Sequence, residues 1–171
     1  KGTRIKWNPA VKSKKDRDGL WEALLDDRID VIATDHAPHT IEEKRNKYTQ
    51  APSGGPLVQH ALVALLEMYH KGKISLEKIV EKACHNPAIL FKIKERGYIR
   101  EGYKADLVLV DLKNPWTVHK ENILYKCGWS PLLGTQFPYQ IHATFVNGHL
   151  AYQDGEFDES QKGQRMQFTR S

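Results

Sequence analysis

A short apolar segment, Val31-Ile32-Ala33, opens directly onto Thr34-Asp35-His36-Ala37-Pro38-His39, and that junction narrows the possible folds sharply. The triplet has two β-branched members and no polar alternation. This is the pattern of a strand buried on both faces, as in a parallel sheet. Upstream, residues 4–7 read as a second short strand that ends at Asn8-Pro9. Between the two, Ser13 followed by Asp16 is a capping-box signature. Leu20, Trp21, Leu24 and Leu25 then share one helical face, while Lys and Asp fill the other. The interval from Asn8 to Asp35 is therefore that of one β-α-β unit. Both residues are expected at the same C-terminal sheet edge, where ligands bind in α/β folds.

Residues 36–55 show no apolar periodicity, and a stretch that long in a compact domain is functional or disordered. It closes on Pro52-Ser53-Gly54-Gly55-Pro56, with Pro56 suited to the first position of a helix. Leu57, Ala61, Leu62, Leu65, Met68 and Tyr69 then repeat at helical spacing up to Gly72. A second helix is expected from Ser75, using Leu76, Ile79, Val80 and Ala83. A third restarts at Asn86-Pro87 with Ile89, Leu90 and Phe91. Beyond Gly97 the pattern turns to β: residues 105–110, 141–146 and 149–152 read as strands, with Asn147-Gly148 as a hairpin turn.

Composition sets the outer limits. The chain has 171 residues, 40% hydrophobic and 27% charged, which is an ordinary globular make-up for one large or two small domains. A complete eight-stranded α/β barrel takes about 250 residues, so a whole one is excluded. No apolar run approaches the ~20 residues of a membrane span, and no secretory signal opens the sequence; no membrane partner is expected. The net charge is +5, but basic residues alternate with acids, as in Lys14-Lys15-Asp16-Arg17-Asp18 and Glu42-Glu43-Lys44-Arg45. That is a solvated mixed surface, not a nucleic-acid face. Cys84 and Cys127 have neither zinc-knuckle nor disulfide-framework spacing, so a reducing, cytoplasmic compartment is expected. Cys127 reads as a small buried hydrophobe. Residues 161–171 are polar and expected to fray.

Asp35 is the residue most open to chemistry. A carboxylate at the mouth of a buried strand needs compensation by a metal ion, another cation or backbone N–H groups. It is either a hard oxygen ligand and proton acceptor or a loop-capping side chain. His36 and His39 are a weak metal-ligand signal on a loop. His60 and His70 are expected at a helix border or in solvent, and His85 in a structural hydrogen bond. His119, His142 and His149 have no acid or cysteine at ligand spacing. Gly54-Gly55 matches no nucleotide motif but offers backbone N–H groups to a ligand.

The run Asp30-Val31-Ile32-Ala33-Thr34-Asp35-His36-Ala37-Pro38-His39-Thr40 resembles the bacterial-type dihydroorotase family of the amidohydrolase superfamily. Lys6-Trp7-Asn8-Pro9 is similar to the family's segment at the end of the seventh barrel strand, and Ala51-Pro52-Ser53-Gly54 to its loop after the eighth. Gly97-Tyr98-Ile99-Arg100-Glu101-Gly102-Tyr103-Lys104-Ala105-Asp106-Leu107-Val108 resembles the superfamily's exit from the barrel into a small β-domain. The fold implied is α/β: the C-terminal part of a (β/α)8 metal-dependent hydrolase barrel followed by part of a small β-domain. Residues 1–96 would belong to the barrel, 97–157 to the β-rich domain and 158–171 to a polar tail.

The resemblance also implies an activity: zinc-dependent, reversible cyclisation of N-carbamoyl-L-aspartate to L-dihydroorotate, in pyrimidine biosynthesis. Asp35 would be both zinc ligand and catalytic acid/base, taking a proton from the attacking hydroxide and passing it to the leaving nitrogen. His39 would bind the substrate carboxylate, and Asn8, Pro52 and Gly54 would hold the ring. The zinc centre would be binuclear and the intact enzyme a homodimer. The family's first-strand His-x-His, its bridging ligand and its middle-strand histidines have no counterpart in these residues, so the chain alone is expected to be an inactive fragment. Departures from the family are Pro9-Ala10-Val11-Lys12 after Asn8 and Gly55-Pro56 after Gly54. Two other readings stand beside this one. They are another cyclic amidohydrolase, such as a dihydropyrimidinase or hydantoinase, and a non-catalytic dihydroorotase-like scaffold partner.

Overall fold

The structure, a computed structural model, describes residues 1–169. Its contacts divide the chain into two compact units. One comprises Lys1–Ile29, Ala33–Leu65 and Trp116–Phe137; the other comprises Asp30–Ile32, Leu66–Pro115 and the residues from Pro138 onward.

The first unit is built on helix and loop. Helix α1, Lys14–Leu25, begins at Ser13, whose hydroxyl accepts from the Asp16 N–H while the Asp16 carboxylate accepts from the Ser13 N–H. This is the reciprocal cap the sequence predicts. Of its apolar face only Leu24 is buried, and Leu20 stays exposed. A one-turn helix α2, Ile41–Lys44, repeats the device with Thr40 and Glu43. A 3-10 turn, Val58–His60, leads into α3, Ala61–His70. Strands β2, Trp116–Thr117, and β3, Gln136–Phe137, pair antiparallel and stack Trp116 on Phe137. Val118, Phe137, Tyr125, Trp129 and Val63 form the core, joined by the buried side chains of Lys44 and His60.

In the second unit, Leu66 and Ile74 are buried with a continuous helical run. The run is α4, Leu76–Val80, capped by Ser75, then a π-helical turn, Glu81–His85, then α5, Asn86–Leu90. A four-stranded antiparallel sheet follows, in the order β1 (Leu107–Asp111), β4 (Gln140–Val146), β5 (His149–Gln153), β6 (Glu156–Phe157). Asn147 and Gly148, both at positive φ, turn β4 into β5. Arg96 pairs with Asp106 and donates to Asn147, and the Asn147 N–H donates to Asp106 at 2.8 Å, so the turn is tied down from two sides.

Three expectations are corrected. Residues 4–7 are not a strand: Gly2–Ile5 is a 3-10 turn, and Lys6 alone is extended. Residues 31–33 form no ladder. The Ile32 N–H instead donates to the Lys82 carbonyl at 3.1 Å, and the Asn86 amide donates to the Asp30 carbonyl. A parallel strand needs a neighbouring strand to pair its backbone groups, and here the Ile32 N–H finds its acceptor and the Asp30 carbonyl its donor on a helical run. The tail is also more ordered than its polarity suggests. Lys94 N–H donates to Gln167 O at 2.9 Å and Thr169 N–H to Lys92 O at 2.8 Å, so backbone pairing holds it. Arg170 and Ser171, the end of the tail expected to fray, lie outside the described residues.

Gly148→Ala forces a Cβ into the left-handed region and is expected to cost about 1–2 kcal/mol. It should appear as a lower urea midpoint, with faster amide exchange at the β4–β5 turn.

Candidate active site

Three stretches meet through their backbones. The Gly54 N–H donates to the Lys6 carbonyl at 2.8 Å, the Ala37 N–H donates to the Gly55 carbonyl at 3.2 Å, and His36 and Gly55 form a parallel bridge. The glycine pair thus lies between the segment leading to Asn8 and the segment that follows Asp35. Only glycine fits. Gly54 has φ +110, and a Cβ there would lie 2.5 Å from the Ala37 Cβ; a Cβ on Gly55 would run into the Trp7 ring and touch Trp129.

Lys44 holds the loop behind this knot. Its side chain is fully buried, and its Nζ donates to the carbonyls of Pro52 and Gly54 at 2.8 Å each and to Lys6 at 3.4 Å. Burial, with Lys6 nearby, pushes its pKa down. Three charge-assisted bonds of about 1.5–3 kcal/mol each are comparable to the several kcal/mol of desolvation, so the charge is tolerated. Lys6 Nζ adds bonds to the Tyr48 and Ala51 carbonyls at 2.7 and 2.6 Å. Residues 36–55 are therefore an ordered loop.

The histidines are held differently. His39 Nε2 lies 3.0 Å from the Ser53 carbonyl, an acceptor only, so Nε2 carries the proton. Its Nδ1 is 3.8 Å from the Glu43 carboxylate, and its own carbonyl accepts the Trp129 indole N–H at 2.8 Å. His36 Nδ1 accepts from the N–H groups of Leu57 and Val58 at 3.1 and 3.3 Å. His60, expected at a helix border, is completely buried. The Tyr125 hydroxyl accepts from the Gln59 N–H and is hydrogen-bonded to His60 Nδ1, both at 3.0 Å. Burial pushes the Tyr125 pKa up to about 12 and the His60 pKa down. Asp35 is exposed at φ +43, and Asn8 is exposed as well.

Residues 8–151 match the sequence family described as the amidohydrolase family. The chain belongs to it. Among curated relatives of this amidohydrolase chain, the dihydroorotase of Clostridium acetobutylicum is 38% identical over 154 residues, which is 90% of this chain and 36% of the relative. That of Halobacterium salinarum is 43% identical over 133 residues, 78% of this chain and 32% of the relative. Among solved structures, L-hydantoinase (dihydropyrimidinase) from Arthrobacter aurescens is 31% identical with a TM-score of 0.83, covering 91% of this chain and 36% of that one. A D-hydantoinase structure has the same TM-score at 24% identity, which speaks to the fold alone. The chain spans roughly a third of the length of the curated relatives it matches.

The amidohydrolase barrel accounts for the expected α/β class, with a small β-sheet after the helices. The structure brings His39 onto the Pro52-Ser53-Gly54 loop and ties Gly54 to the segment before Asn8. Sequence reading missed Lys44, hidden in a charged run, and Tyr125 and Trp129, which reach the loop from far along the chain. Among the described residues no three His, Cys, Asp or Glu side chains converge to hold a metal ion. Asp35 is a single oxygen donor where zinc takes at least three protein ligands. These residues do not make a metal site by themselves.

Lys44→Met leaves inward-facing carbonyls without a donor and is expected to cost about 2–4 kcal/mol. Trypsin should then cut faster at Arg45 and Lys47 than in the parent. Because His60 is buried neutral, its stabilising contribution is intact above its ordinary value of 6.5 and is lost as pH falls through its lowered value in the fold. The urea midpoint should drop on acidification from pH 7.5 to 5, and His60→Gln should flatten that part of the profile.

Proposed function

We propose that this amidohydrolase chain is the site-bearing C-terminal part of a dihydroorotase, which interconverts N-carbamoyl-L-aspartate and L-dihydroorotate. The observation that carries the reading is His39. Its ring is fixed against Ser53 four residues after Asp35, with its Nδ1 edge already facing a carboxylate, Glu43, at 3.8 Å. With Nε2–H held by Ser53, the protonated ring has its second N–H at Nδ1; that charged edge suits the carboxylate of this substrate and has no partner on an uncharged cyclic amide. The dihydroorotase relatives, at 34–43% identity, support the same choice over the hydantoinase-like structures at 22–31%.

In the hydrolytic direction the Asp35 carboxylate takes a proton from the attacking water. The ring C–N bond breaks, and Asp35 returns the proton to the departing nitrogen. Cyclisation runs these steps in reverse and releases water. Asn8 and the Pro52–Gly54 backbone flank the ring. On this reading residues 1–96 belong to the barrel, 97–157 to a composite β-domain and 158–171 to a tail. Exposed apolar side chains such as Leu20, Ile89, Phe91 and Ile99 support contact with further parts of a longer protein. The intact enzyme is proposed to be a cytoplasmic homodimer in pyrimidine biosynthesis. Its zinc, proposed as binuclear, would polarise the substrate carbonyl and the water; Asp35 would be one ligand, and the others lie outside these residues.

The test is made in the full-length protein. Asp35→Asn should lower kcat by about 10²–10⁴, and dihydroorotate should be turned over in preference to dihydrouracil. Preference for dihydrouracil would assign a dihydropyrimidinase instead, and no turnover of either by intact, metal-loaded protein would assign the scaffold role.

A further inference from the structure

Trp129 is ninety residues from His39, yet its indole N–H donates to the His39 carbonyl at 2.8 Å. That carbonyl precedes the N-cap residue Thr40 and takes no part in the α2 ladder, whose first acceptor is Thr40 itself. Trp129 is only 7% exposed, and the far edge of its indole lies 3.4 Å from where a Cβ on Gly55, the residue bridged to His36, would sit. One side chain thus touches both strands of the knot. The turn that presents it is itself fixed. The Gly128 N–H donates to the Tyr125 carbonyl at 2.9 Å, the Tyr125 hydroxyl bonds Gln59 and His60, and Ser130 Oγ lies 3.3 Å from His60 Nδ1.

We propose that Trp129 is a positioning residue for the carboxylate subsite. Its indole N–H orients the His39–Thr40 peptide and thereby the His39 imidazole, while Tyr125 holds the turn in place. The inference rests on the reading of His39 as the partner of the substrate carboxylate. His39 is otherwise held by its N–H on the Ala37 carbonyl at 3.0 Å and by its ring on Ser53. Those partners, and Glu43 at 3.8 Å from Nδ1, all lie on the same loop. Trp129 is the contact that anchors His39 to a different part of the unit.

The expected signature separates positioning from stability. Loss of folded protein removes active molecules and lowers the apparent kcat. Displacement of His39 weakens substrate binding and raises KM. In the full-length enzyme, Trp129→Phe should raise KM for N-carbamoyl-L-aspartate about five- to tenfold with kcat within about twofold, the scale of one hydrogen bond. His39→Asn should raise KM by about ten- to a hundredfold, and Trp129→Phe added to it should produce no further rise. If Trp129→Phe folds poorly, benzothienylalanine at position 129 keeps the ring against Gly55 and removes only the N–H; the same KM rise is expected. A rise in KM for His39→Asn but none for either Trp129 variant, or a multiplicative effect in the double variant, overturns the inference and leaves the reading of His39 standing. No effect of His39→Asn on KM overturns that reading itself.

Discussion

Lys44 lies where a loop would otherwise turn its own carbonyls into an interior that cannot solvate them. Unpaired buried carbonyls are costly, and so is a buried ammonium group; placed together, each removes much of the other's penalty. The three acceptors come from Lys6, two residues before Asn8, and from Pro52 and Gly54, which are candidate ring-binding residues themselves. One cation therefore sets the spacing between the segment before Asn8 and the loop that receives His39. Lys6 repeats the arrangement at the loop's outer edge, on Tyr48 and Ala51.

The glycine pair converts that spacing into a ladder. Gly54 donates to Lys6, and Gly55 accepts from Ala37, so three chain segments lie side by side without a regular strand among them. Close approach is what the absent side chains permit, since the space a Cβ would need is filled by Ala37, Trp7 and Trp129. Two tryptophans against one backbone glycine also exclude water from the ladder, which strengthens its few hydrogen bonds.

Local chemistry was readable where it acts on the nearest residues. The caps at Ser13 and Ser75 and the Asn147-Gly148 turn form as the sequence suggests, because each depends on side chains within three residues of the backbone they serve. The strands at 4–7 and 31–33 fail because a parallel strand is defined by partners that no local pattern encodes. His60 shows the same limit. Its helical position suggested a border, and its burial is created by Tyr125, Ser130 and Trp116, all far along the chain. Lys44 looked like one more surface charge in Glu42-Glu43-Lys44-Arg45, since nothing in a run of charges says which of them turns inward. At the candidate site, Asp35, His39 and Gly54 stood out by residue type, whereas the groups that hold them have types that carry no chemical signal.

That division bears on how amidohydrolases differ from one another. The backbone matches that of a D-hydantoinase at a TM-score of 0.83 with 24% identity, so the fold is shared. A knot made of main-chain bonds, glycines and a buried lysine is indifferent to what the ring carries. On the proposed reading, discrimination comes from side chains projecting from the knot, and a protonated His39 has an N–H at Nδ1 for a carboxylate. Its value as a reader of substrate depends on being held still, because a mobile imidazole forfeits in ordering entropy much of what one hydrogen bond gains. On that reading, an amidohydrolase of this design ties its specificity to remote residues that clamp the main chain.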